Sequence, residues 1–444
     1  MSAPALTPSQ VRTRFWVLSA LRWAPVGLLI PISALLPLER GLTMAQLGGA
    51  LAMQGIVVLV LELPTGGLAD ALGRRPVILA GIGCAVVALS LLAVASSPLM
   101  FALAYAVTGV FRALDSGPLN AWFVDSVHAA GAAGEGHGTG PDAEPDPDAA
   151  ARAAAVARGL SGAGVITGVA VGAGALLAGG LVAWAPGDGS ALDLVVLVAI
   201  GLTLVQLVAA AVLVREDRAR ERGALARSVR DTPRTIVAGI LLLRRSRVLL
   251  ALVAVELFWG FGIVTFETFM PVRMAELIGG ADRAAAVLGP VTAAGWGVAA
   301  LGAAAVPLLL RWGSAASVSL GLRLVQGATV VLMGVVAGVP GLVAAYLLTY
   351  AVHESSGILY ETLLHEQVDN AHRATVLSLA SMVFQPSASV GLVVLGAVAT
   401  GASTGTAMVV GGVVIALAAP LFLVRAPRAR AGSAVPAPAA VTAQ

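Results

Sequence analysis

The sequence predicts an all-α membrane protein with twelve transmembrane helices in two six-helix bundles. Three observations carry that expectation. First, apolar residues make up 58% of the 444-residue chain and charged residues only 11%, and the mean hydropathy is +0.92. A soluble domain carries about 25% charged residues, so this chain could not cover its own surface in water. Second, the apolar residues fall in blocks long enough to cross a bilayer as helices, which takes about 20 residues each. A bilayer core offers backbone groups no water, so such blocks must be helical; the alternating polarity of a transmembrane barrel is not seen. Third, the two halves of the chain repeat one another.

The blocks place spans at 14–38, 44–65, 76–95, 99–121, 157–184, 191–214, 248–272, 285–310, 315–337, 340–364, 374–400 and 404–424. An even number puts both termini on one side. Cytoplasmic loops are enriched in basic residues, and all 27 basic residues here are Arg. With the termini inside, 21 of them are cytoplasmic; Arg40, Arg273 and Arg283 lie outside, and Arg22, Arg112 and Arg323 lie within spans. The expected location is therefore a cell (plasma or inner) membrane, multi-pass, with both termini cytoplasmic. The N-terminus leads into a span too long for a signal-peptide core, so no cleaved leader is expected.

The spans divide the chain into a first bundle at 1–214, an Arg-rich cytoplasmic linker at 215–247, a second bundle at 248–425 and a disordered tail at 426–444. The 128–151 loop, HAAGAAGEGHGTGPDAEPDPDAAA, has few bulky apolar side chains to bury and reads as disordered. His128 and His137 beside its acids show no repeated ligand spacing, so no metal is expected. Cys84 is the only cysteine, which excludes an internal disulfide. The net charge of +3 does not imply nucleic acid, because the Arg residues are spread over short connectors rather than one face.

The repeat appears at an offset of 240. Pro31 meets Pro271, Gly73 meets Gly313, Gly81 meets Gly321, and Ser116–Leu119 meets Ser356–Leu359. Beyond the fourth span the offset falls to 221, where Arg152-Ala153 meets Arg373-Ala374, and the 19-residue difference fits inside the 128–151 loop. Two six-helix units oriented alike form a parallel repeat.

Between the second and third spans runs LELPTGGLADALGRRPV, Leu61 to Val77. Its Gly66–Arg75 core resembles the signature loop of the major facilitator superfamily, G-x-L-x-D-R/K-x-G-R-R/K, at the position that family requires; Ala71 stands where the family has a basic residue. Gly66 and Gly73 suit a tight turn. The resemblance implies a conformational latch. Asp70 faces the N-terminal end of the eleventh helix, near Arg373, and Arg74 or Arg75 pairs with Asp125 at the inner end of the fourth. The fourth-span stretch FRALDSGPLNAWFVDS resembles the corresponding region of superfamily exporters. In it Arg112 and Asp115, three apart, share a helical face and are expected to pair.

The resemblance also implies that the first, fourth, seventh and tenth helices line a central cavity. Those spans hold Arg22; Arg112, Asp115 and Asn120; Glu256 and Glu267; and His353, Glu354, Tyr360 and Glu361. Ionisable residues inside a membrane mark transport paths, and carboxylates withdrawn from water can exchange protons near neutral pH. Glu256, Glu267, Glu354 and Glu361 are therefore candidate coupling groups. Arg323, on the peripheral ninth span, is expected to snorkel to the cytoplasmic face. On the fifth span, Gly164, Gly168 and Gly172-Ala173-Gly174 form a small-residue ladder suited to close helix packing, without the Pro found in drug–proton antiporters.

The expected function is secondary active transport of a small molecule by alternating access: proton-coupled efflux of amphipathic compounds. The alternatives are proton-coupled uptake of a metabolite and a non-transporting membrane sensor. No metal-spaced His cluster, nucleophile–base motif or phosphate loop points to an enzyme. No cofactor beyond a proton gradient is expected. The expected partners are the small-molecule substrate and membrane lipid, with no nucleic acid, and the chain is expected to act as a monomer.

Overall fold

The computed structural model describes residues 6–66, 68–115, 117–132, 149–185, 191–216, 230, 237, 241, 243–244, 246–368 and 373–424. Twelve helical passages account for nearly all of them. We number them α1 (Pro8–Leu29), α2 (Met44–Gly66), α3 (Arg74–Val94), α4 (Pro98–Asp115, resuming as Pro118–Ala132), α5 (Ala149–Trp184) and α6 (Ala191–Leu213) in the first half. The second half holds α7 (Arg247–Glu267, resuming as Phe269–Ile278), α8 (Ala281–Leu309), α9 (Ala315–Val335), α10 (Val339–Glu366), α11 (Arg373–Gly401) and α12 (Thr404–Leu417). Among the described residues, eleven helical stretches are long and apolar enough to cross a membrane. α10 is not among them, because His353, Glu354 and its hydroxyl residues dilute the apolar run.

Local chemistry sets the ends. Thr7 opens α1 with a capping box: its hydroxyl accepts from the Gln10 N–H at 3.3 Å and its own N–H donates to Gln10 Oε1 at 3.0 Å, with Pro8 in the first turn. Ser246, Ser314 and Ser403 cap α7, α9 and α12 with their side-chain oxygens alone, accepting from the N–H groups of Leu249, Ser317 and Thr406.

Breaks within passages also have causes. Pro271 has no N–H to give the carbonyl of Glu267 four residues back, and α7 is interrupted at Thr268. Its repeat partner Pro31 lies in a 3₁₀ turn after α1. In α4 the interruption follows Asp115, where Gly117 takes φ +96 and Pro118 restarts the helix.

Several expected boundaries move. The fourth span does not end at 121 but continues to Ala132, and α5 begins at Ala149, so both ends of the 128–151 loop are helical. Residues 133–148, most of the 215–247 linker and the 425–444 tail lie outside the described residues.

Two seams join the halves: α2 against α11, and α5 against α8. Both depend on missing side chains. A Cβ on Gly48 would lie 2.1 Å from the Leu392 carbonyl oxygen, and one on Gly289 would lie 2.6 Å from the Ala175 oxygen and 2.8 Å from Gly179 Cα. In lipid such close backbone approach replaces the hydrophobic effect as the packing force. The Ala45 N–H donates to Thr400 Oγ1 at 3.0 Å and the Ser389 hydroxyl to the Ala52 carbonyl at 3.3 Å. These contacts run from the middle of the molecule to the end away from the Gly66–Arg75 loop, hereafter the far end.

The buried apolar side chains divide the same way. At the far end one cluster spans both halves, with Leu36, Met44 and Leu47 packed with Phe266, Phe269 and Leu395. At the loop end there are two clusters. One, around Phe15, Trp122 and Phe123, belongs to the first half; the other, around Leu249, Val253 and Leu364, belongs to the second.

Candidate functional site: a charged gap between the halves

With α2, α5, α8 and α11 taken up in the seams, α1 and α4 of one half face α7 and α10 of the other. On the first side, Arg22 of α1 donates through Nε to Asp115 Oδ2, and its guanidinium lies 4.6 Å from the Trp23 ring centroid. Asp115 sits at the break of α4 and is only 12% exposed. The expected Arg112–Asp115 pair does not form: Asp115, the last residue before the break, is taken by Arg22. Arg112 is left exposed, with no ion-pair partner within 4.0 Å among the described residues, and so is Asn120.

On the second side the acids divide into an accessible set and a buried one. Glu267, at the interruption of α7, and Glu361 of α10 are exposed, and Glu354 is half-buried. Glu256 is 8% exposed and lies within electrostatic reach of Tyr360 and Arg323. His353 packs in an aromatic group, its ring centroid 5.2 Å from Trp259, 5.6 Å from Phe266 and 6.0 Å from Tyr350.

Arg323 does not snorkel. It is 3% exposed, donates to Gln326 Oε1 at 2.8 Å and lies over Trp259 at 4.5 Å, facing the bundle interior. A cation on a peripheral helix found an amide and an indole inside the bundle, and those partners outweigh a path to water. Sequence position alone could not show which way α9 turns.

At the loop end Gly73 has φ +95, a backbone conformation suited to glycine, whereas Gly66 is not in a turn but is the last helical residue of α2. Arg74 binds Asp125 through Nε at 2.8 Å and through its terminal nitrogen at 2.7 Å. Arg75 instead donates to the Ala211 carbonyl at 2.7 Å. Glu216, read from sequence as linker, accepts from the Arg74 N–H at 2.7 Å and the Arg75 N–H at 3.0 Å. It thereby satisfies free donors at the positive end of α3. The side chains of Asp70 and Arg373 lie outside the described residues. On α5, a Cβ on Gly164 or Gly168 would meet nothing within 4 Å, one on Gly172 would lie 3.8 Å from Ala293 of α8, and one on Gly174 would lie 2.3 Å from the Ala24 carbonyl oxygen of α1. The Gly172–Gly174 end of the expected ladder packs and the Gly164–Gly168 end does not; Gly159, Gly162 and Gly179 make further close approaches.

Two far-end residues had no distinguishing sequence signal. Arg40 donates to the carbonyls of Leu92, Ala93 and Ala95 at 2.7–2.8 Å and binds Asp193 at 2.6 Å, tying the end of α3 to the start of α6. Arg273 donates to the Val336 carbonyl at 3.2 Å and pairs at 2.9 Å with Glu276, which accepts from Thr404. That contact ties α9 to α12. Each Arg meets the negative end of a helix, and each half has one.

Two parallel-repeat bundles seamed by four helices, with ionisable groups on the other four inner helices, define a transporter fold. A model of the Major Facilitator Superfamily matches residues 15–359, and the chain belongs to that superfamily. It is a family of membrane transporters, not of enzymes.

Among solved structures, the chain is similar to the nucleoside transporter NupG, with TM-score 0.71 and 12% identity, covering 93% of this chain and 98% of that one. It is similar to a POT family transporter in complex with a thioalcohol-conjugated peptide, with TM-score 0.64 and 13% identity over 93% of this chain and 94% of that one. It also resembles a bacterial homologue of the human drug peptide transporters PepT1 and PepT2, with TM-score 0.65 and 13% identity over 94% of this chain and 98% of that one. At these identities the likeness is one of fold. No curated protein matches the sequence.

Proposed function

We propose that this membrane transporter is a proton-coupled secondary active transporter that moves a small molecule by alternating access, in the direction of export. The observation that carries alternating access is the division of the apolar core. One cluster locks both halves together at the far end, while each half keeps its own cluster at the loop end. Two rigid units that meet at one mouth and part at the other are what rocking about a central site requires. The 21 Arg that the sequence assigns to cytoplasmic segments support a loop-end mouth facing the cytoplasm, with both termini there. Accessible carboxylates on α7 and α10 supply the candidate proton carriers.

A second reading is uptake of a polar metabolite. It is favoured by likeness to structures described as nucleoside and POT family transporters. Reconstitution into liposomes with an imposed pH gradient, screening dyes, drugs, nucleosides and peptides, separates the two. Export by antiport moves a compound against the proton flow, and uptake by symport moves it with the flow. No movement under any gradient would remove both.

A further inference from the structure

The polar groups lining the gap are not shared evenly between the halves. α1 and α4 bring Arg22, Asp115 and Arg112; the first two neutralise each other, so Arg112 stands as one accessible positive charge. α7 and α10 bring Glu256, Glu267, Glu354 and Glu361, of which Glu256 is buried in the second half. Three acids remain, of which Glu267 and Glu361 are exposed and Glu354 half-buried. Among the described residues, neither Arg112 nor any of these three has an ion-pair partner within 4.0 Å. An unpaired charge at membrane depth is costly unless it faces water or a ligand, and Arg112 on α4 and Glu267 at the interruption of α7 come from opposite halves.

We propose that the cargo is a zwitterion: an anionic group held by Arg112 on α4 and a cationic group held by Glu267 on α7, with Glu354 and Glu361 extending the negative wall. This rests on the transport reading above and narrows it to a substrate class. A simple cation would leave Arg112 unmatched. A simple anion would meet three carboxylates. A molecule carrying both charges satisfies both walls at once, and so couples the two units that must rock together.

The test is thermal unfolding of the full-length protein in detergent. The probes are 4-aminobutyrate, 6-aminohexanoate and dialanine, each beside its methyl ester (cation only) and its N-acetyl derivative (anion only). At least one zwitterion should raise the melting temperature, with its two derivatives about tenfold weaker or worse, since each leaves a charged group unpaired. Arg112→Gln should abolish discrimination against the ester, and Glu267→Gln discrimination against the N-acetyl derivative. The charge-exchanged pair Arg112→Glu with Glu267→Arg should recover preference for the zwitterion, a rescue that a merely structural role does not produce. An ester that stabilises as well as its parent, full discrimination surviving in Arg112→Gln, or no stabilisation by any zwitterion would overturn the assignment. Liposomes that move nothing, while the binding preference holds, would instead overturn the transport reading.

Discussion

Asp115 is 12% exposed and Arg22 is its ion-pair partner. Removing Arg22 strands a carboxylate at membrane depth, so Arg22→Gln should lower unfolding stability by about 1–3 kcal/mol. Adding Asp115→Asn should recover part of that loss. A full double-mutant cycle in unfolding measurements checks it, and strictly additive losses would deny the pair. Arg22 and Asp115 were both legible in the sequence as intramembrane charges, but their pairing was not. Residue spacing favoured Arg112, and only the break after Asp115 and the nearness of α1 decide otherwise.

Glu39 gives a pH dependence at the same scale. It lies beyond α1 at the far end, where burial first, then Asp282 of the opposite half and Asp193, push its carboxyl above the usual range against the pull of Arg40. A raised carboxylate destabilises the packed state when ionised. Closure of the far mouth should therefore strengthen as pH falls from neutral through that raised value, and Glu39→Gln should flatten the dependence. Distances between spin labels across the far end, recorded against pH, would show it; an unchanged slope in Glu39→Gln would count against it.

At the scale of helices, the two seams hold because glycine lets backbones touch. Gly289→Val places atoms where the Ala175 carbonyl already lies. It should wedge α8 from α5, shift the population toward an open far mouth and lower the transport rate severalfold, without preventing membrane insertion. Far-end spin-label distances should lengthen; unchanged distances would mean that the seam does not set the closed state. The loop end offers the complementary test. Asp70→Asn should slow transport while leaving insertion intact, and wild-type rates would argue against a latch. The resemblance pointed to Asp125 as a partner for Arg74 or Arg75, and the structure puts Arg74 there. Glu216 was illegible because an acid 142 residues away in sequence carries no mark of the helix start it covers. The Gly164–Gly174 ladder was only half informative for a related reason: small residues at helical spacing permit close packing but do not say that the neighbours meet Gly172 and Gly174 and not Gly164 and Gly168.

For the molecule as a whole, hydropathy and the repeat between halves were enough to find the passages and their doubling, because a bilayer leaves the backbone few choices. Depth and facing were harder to read, as Arg323 shows. The central claim is that Arg112, Glu267 and Glu361 face a water-filled gap entered from the loop end, not lipid. Single cysteines at these three positions, in a Cys84→Ser background, can be challenged in oriented membranes with a charged, water-soluble thiol reagent and with a lipid-soluble one. In the conformation described here all three should react with the charged reagent applied from the loop side and resist it from the far side. Labelling by the lipid-soluble reagent alone would place these side chains in the bilayer and contradict the account.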